Sequence, residues 1–113
     1  MTVNTIRVRA RQILEDAVAP YRWKDAELRD HLQTAVRRLN VRVPATRYVA
    51  GVVQDYIPLP AEPEDDTEFP VDNRYAEALS LYAAYLCYFN DATDTVNAER
   101  AAACLSRAEG LMV

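Results

Sequence analysis

The run Arg47-Tyr-Val-Ala-Gly-Val-Val-Gln-Asp-Tyr-Ile57 decides how this chain reads, because it is long and apolar without helical character. β-Branched and aromatic residues dominate it, Gly51 marks a bend or bulge, and Pro58 and Pro60 close it. An acidic run, Glu62-Pro-Glu-Asp-Asp-Thr-Glu68, and then Phe69-Pro70 follow. Tyr48, Val52 and Tyr56 fall on one face, and Val49, Val53 and Ile57 on the other. Both faces are apolar, unlike a strand lying half in water. The sequence offers no second strong strand. Residues 47–57 are therefore expected to form a loose hairpin with residues near 68–71, or to pair with a neighbouring subunit. Residues 47–70 thus read as an excursion between helical segments. A connection of that length in a compact helical chain is expected to have a use, here contact rather than catalysis. On that reading, deleting residues 58–70 leaves the helices intact and abolishes assembly.

Helical periodicity stands on both sides. Helix one is expected over residues 4–18, with Ile6, Ala10, Ile13, Leu14 and Ala17 on one face, Asn4 or Thr5 as cap and Pro20 as stop. Arg7 and Arg11 share a face and read as solvated, with Glu15 one turn below Arg11; phosphate contact is the other reading. Helix two is expected over residues 26–41, capped by Asp25, with Trp23 folding back as a staple. Its stripe is Leu28, Leu32, Ala35, Val36 and Leu39. Helix three, over residues 72–89, is apolar almost all round, which marks the central helix or one also buried against a partner. Its Tyr82, Tyr85 and Tyr88 suit either contact or core. Helix four, over residues 94–112 with Thr93 or Asp94 as cap, turns Ala101, Cys104, Leu105, Ala108 and Leu111 inward. The expected fold is mainly α: a single domain over residues 1–113, a four-helix bundle with a β-like hairpin or extended excursion between helices two and three.

At 113 residues, 50% hydrophobic and 27% charged, the composition is that of one globular domain. No apolar run approaches the roughly 18 residues that span a bilayer. The first residues lack a signal-peptide pattern, so the chain is expected to be cytosolic when made and to have no membrane partner. Cys87 and Cys104 lie in apolar helical patterns and read as buried free thiols. His31 has no nucleophile or second histidine nearby and reads as structural. Asn90, Asp91, Asp94 and Asn97 resemble a calcium loop only superficially, without its glycine and terminal glutamate. With no nucleophile–base pair, ligand cluster or phosphate loop in view, no enzyme activity, cofactor or metal is expected.

Charge divides the chain. Residues 1–47 carry ten Lys/Arg against five Asp/Glu, and residues 48–113 carry three against twelve, which is +5 and −9. The halves either pair internally or orient subunits and partners. A nucleic-acid surface on Arg37, Arg38, Arg42 and Arg47 would show steep salt dependence, and the acidic second half argues against it.

The order of these features resembles a known family. An arginine-rich first helix is followed by Trp23-Lys-Asp-Ala-Glu-Leu28, then by Ala35-Val-Arg-Arg-Leu39 and Pro44. Next come Gln54-Asp-Tyr-Ile-Pro-Leu-Pro60, Pro70-Val-Asp-Asn-Arg-Tyr-Ala-Glu-Ala-Leu79, Asn90-Asp91 and Asn97-Ala-Glu-Arg-Ala-Ala102. This resembles the short helical head–tail adaptor (connector) proteins of tailed bacteriophages over nearly the whole chain. The resemblance implies a virion protein at the head–tail junction, in the host cytoplasm before assembly. It also implies a ring of roughly twelve copies with closed symmetry. That ring would join the portal to a tail or nozzle protein, with DNA passing through its channel.

Tyr48, Val49, Val52, Val53, Tyr56, Ile57 and Phe69 are the expected subunit or portal contacts. Glu62, Glu64, Asp65, Asp66 and Glu68 are the expected tail or lumen face. Family members often end in an arm that docks on the portal. Here Val113 follows helix four directly, which shifts the expected contact to the excursion and the last few residues. A helical protein-binding module, monomeric or dimeric, is the alternative reading.

Overall fold

A computed structural model describes residues 1–16, 18–61, 64–91 and 95–113. Four α-helices, α1 (Val3–Ile13), α2 (Asp25–Arg42), α3 (Ala76–Asn90) and α4 (Thr95–Leu111), carry most of the chain. A two-stranded hairpin, β1 (Tyr48–Val49) and β2 (Val52–Val53), stands between α2 and α3. Short 3₁₀ turns precede the hairpin (Pro44–Arg47) and α3 (Asn73–Tyr75).

α3 is the central element: it packs against α1, α2 and α4, while α1 and α2 also touch each other. Its buried Ala78, Leu79, Ser80, Leu81, Ala83, Ala84 and Cys87 explain why the helix is apolar all round. The Ser80 hydroxyl donates to the carbonyl of Ala76 at 2.8 Å, so this buried polar group is satisfied. α4 runs back along α3, since Arg74 and the Tyr75 hydroxyl, beside the start of α3, donate to the Val113 oxygen at 2.6 and 3.0 Å. Ala101 and Ala108 are buried, which lets α4 lie close. Leu111, expected inward, is exposed, and Met112 takes the buried place instead.

Helix one is shorter than its periodicity suggests. Thr2, not Asn4 or Thr5, is the cap, its hydroxyl accepting from the Thr5 amide at 3.1 Å. The helix ends at Ile13 because Glu15 takes a left-handed conformation, φ 56°, and turns the chain. That turn carries Asp16 back beneath the helix. Its carboxylate accepts from the amides of Arg22 and Trp23 at 2.8 and 3.1 Å, so the α1–α2 connection is built on it. Ala17, expected on the inner face, lies outside the described residues, as do Thr93 and Asp94. Lys24 rather than Asp25 caps α2, and the Asp25 carboxylate is drawn to Arg11 instead. Trp23 packs edge-on against Tyr88, ring centroids 6.1 Å apart, as a half-buried lid on the core.

The apolar run finds its partner within itself, not near residues 68–71. Tyr48 pairs with Val53 and Val49 with Val52, antiparallel, and the Gln54 amide donates to the Arg47 carbonyl at 2.9 Å. Ala50 and Gly51 form the turn at φ 51° and 80°, the positive-φ pair of a type I′ hairpin, which matches strand twist. A Cβ on Gly51 would meet open space, so its cost is conformational. Gly51→Val should therefore weaken the hairpin by about 1–2 kcal/mol. Faster amide exchange at Gln54, with helix amides unchanged, is the expected readout.

Beyond the hairpin, the excursion descends along α2. Asn40 accepts from the Ile57 amide at 2.9 Å, and Gln33 donates to the Ile57 carbonyl at 3.1 Å and accepts from the Leu59 amide at 2.8 Å. Asp65 then meets Arg29 at 3.3 Å, and Thr2 bridges Glu68. The core therefore includes Ile57, Leu59, Phe69 and Val71 from the excursion. This segment is part of the fold rather than an appendage to it.

Candidate assembly interface

The seven expected contact residues divide by burial. Tyr48, Val52 and Val53 are 61, 59 and 51% exposed at the hairpin tip, and Val49 is half-buried. Tyr56 is also exposed, with the Arg37 guanidinium 4.2 Å above its ring. Ile57 and Phe69 are 1 and 4% exposed. They belong to the subunit's own core and have no surface to give a partner. The physical reason is that the Ile57 amide is held by Asn40, and Phe69 is held by the Met1 carbonyl, which accepts from its amide at 3.1 Å.

The acidic run divides in the same way. Asp65 is half-buried between Arg7, at 2.7 Å, and Arg29. Its carbonyl also accepts from the Asn4 amide at 3.0 Å. Glu68 meets the amino group of Met1 at 2.5 Å, and Asp66 accepts from the Asn4 side chain at 3.1 Å. Glu64 is exposed, and Glu62 lies outside the described residues.

These contacts answer the question that the charge division raised. Arg7, Arg9, Arg22, Arg29, Arg38 and Arg42 of the basic half all reach carboxylates of the acidic half. The two halves pair within one subunit. Arg7 and Arg11 are correspondingly not a solvated face. Arg11 is 4% exposed, and donates to Asp16 at 2.9 Å, to the Trp23 carbonyl at 2.9 Å and to Asp25 at 2.6 Å. Sequence reasoning missed this centre, although Asp16 and Asp25 flanking a short turn after Arg11 are the residues that build it.

Burial alone would raise the Asp65 carboxyl, but the hydrogen bonds and charges of Arg7 and Arg29 outweigh it and hold it below the usual carboxylate range. The Arg9 hydrogen bond lowers Glu77 likewise. Both groups bind protons less readily folded than unfolded. Their contribution is complete above the unfolded range, about pH 4, and is lost as pH falls through the lower folded values. Thermal melts taken from neutral to acid pH should fall below that point, and Arg7→Met should flatten the fall.

Elsewhere, Tyr88 is buried, while Tyr82 and Tyr85 are half-buried and stacked edge-on, with Tyr85 against the exposed Phe89. Cys87 and Cys104 are free and buried, and burial pushes the Cys87 thiol up to about 12. Half-buried His31 lines an open cleft of about 380 Å³ with Glu27, Asp30 and Asp91 from α2 and the end of α3. Burial lowers its pKa, so the ring is neutral near pH 7. Among the described residues, no group of acidic, histidine or cysteine side chains is placed to hold a metal, and no helix is long and apolar enough to cross a membrane. No protein-family profile matches the chain, and no curated protein or solved structure shows significant similarity to it.

Proposed function

We propose that this chain is a structural adaptor of a tailed-phage virion, assembling into a ring between portal and tail. The observation that carries the reading is the hairpin tip: Tyr48, Val52 and Val53 are exposed on a hairpin whose continuation, at Ile57 and Leu59, Asn40 and Gln33 tie to the helical body. Exposed apolar surface of this kind favours association, because burying it against a partner removes it from water. The feature order of the sequence, read as a head–tail adaptor, supplies the partners: further copies, portal and tail, with DNA only in transit. The helices are read as a four-helix bundle centred on α3. Glu64 and Asp66 would carry the exposed charge of the acidic run; facing the lumen, that charge would repel passing DNA.

The alternative, a helical binding module acting as monomer or dimer, draws support from the internal pairing of the two charge halves. That pairing leaves less unbalanced charge to orient subunits. Mixing purified protein with the portal of the same phage separates the two. Ring formation at portal stoichiometry, lost in a Tyr48→Ser, Val52→Ser, Val53→Ser variant with unchanged circular dichroism, is the expected result. A monodisperse dimer indifferent to portal would sink it.

A further inference from the structure

Two arginines of the basic half stand apart from the rest. Arg7, Arg9, Arg11, Arg22, Arg29, Arg38 and Arg42 each have a carboxylate partner. Arg37 and Arg47 form no ion pair among the described residues. Both line one open cleft of about 400 Å³ at the C-terminal end of α2, with Asn40, Val41, Asp55 and Tyr56. The Arg47 Nε is buried without a hydrogen-bond partner among the described residues, an unfavourable state for a charged donor. Arg37 lies over the Tyr56 ring, a stacking that orients a planar guanidinium while leaving its in-plane donors unused.

The cleft is set in place by its neighbours. Asn40 spends its side chain on Thr46 and on the Ile57 amide, which fixes the floor. Val41, 70% exposed, and Pro44 give the cleft its aliphatic lining. Two guanidiniums without a carboxylate partner among the described residues, beside Val41 and Pro44, match a carboxylate between aliphatic side chains. Against Asp55 the two cations leave one net positive charge in the lining, which suits one carboxylate but not the run of phosphates of a nucleic-acid backbone. We propose that this cleft binds a carboxylate-bearing, aliphatic segment of a partner protein, with Arg37 and Arg47 as the recognising groups. The site stands independently of ring formation.

An NMR titration of the full chain tests it, with acetyl-Val-Glu-Val-amide, its glutamine counterpart and a short random-sequence DNA duplex as probes. The expected result is a saturable shift of the Arg37 and Arg47 Nε–H signals with the glutamate peptide. Binding should fall about tenfold or more with the glutamine peptide and in Arg37→Gln or Arg47→Gln, since the charge-assisted bonds are lost. Arg37 is exposed, so Arg37→Gln keeps the test decisive if Arg47→Gln disturbs folding. Absence of a saturable shift, an equal response to the glutamine peptide, or a stronger one to DNA would overturn the proposal.

Discussion

Replacing Arg11 with alanine should lower the free energy of unfolding by about 3–5 kcal/mol, because it strands a buried charge rather than removing a surface one. Asp16 is 8% exposed and would lose the guanidinium that neutralises it. The Trp23 carbonyl and Asp25 would lose donors at the same time. Tyr21, whose ring lies 3.7 Å from the Arg11 guanidinium carbon, would lose its stacking partner. Arg11→Lys should recover only part of the loss, since a single ammonium nitrogen lacks the two separated nitrogens with which the guanidinium reaches Asp16, the Trp23 carbonyl and Asp25. Urea denaturation followed by circular dichroism measures this. A loss below about 1 kcal/mol is what an exposed ion pair would give, and it would restore the solvated-face reading.

The second large effect concerns the excursion. Deleting residues 58–70 behind a short linker should abolish cooperative folding, not merely assembly. The deletion removes Leu59 and Phe69 from the core, and with them the bonds to Gln33 on α2 and to the Met1 carbonyl. Truncating one large core side chain alone costs about 2–5 kcal/mol, and a small domain has only about 5–15 kcal/mol to lose. Removing Asp65 would also leave Arg7 and Arg29 without the carboxylate they share. A variant that keeps its helical spectrum and a sharp melt would mean that the segment is peripheral after all. The smaller tip variant is the better probe of contact, since Tyr48, Val52 and Val53 are exposed.

The helices were legible because their signals are local. The stripe Leu28, Leu32, Ala35, Val36, Leu39 is fully buried, and α3 is central as its apolar girth implies. The hairpin was legible as an apolar, β-branched run, but its pairing was misjudged. The Ala50-Gly51 turn lies within the run, and an alanine at positive φ gives no compositional warning. The burial of Ile57 was illegible because it depends on Asn40 and Gln33, polar residues two turns apart on α2 that receive backbone from a segment far along the chain, and that of Phe69 because its amide is held by the Met1 carbonyl at the start of the chain. Arg11 was hidden for a similar reason. Helical spacing placed it beside Arg7 and Glu15, whereas the left-handed turn at Glu15 brings Asp16 into reach instead. Charge counting revealed the division of the chain, and only the fold revealed that the halves neutralise each other.

The most direct test of the adaptor reading is electron cryo-microscopy of virions that contain this chain. A closed ring of roughly twelve copies between portal and tail is predicted, in keeping with the cyclic symmetry of such assemblies. Within it, the Tyr48, Val52 and Val53 tips should be buried at a subunit or portal boundary. Particles without the chain at that junction, or a ring whose hairpin tips face solvent, would contradict it.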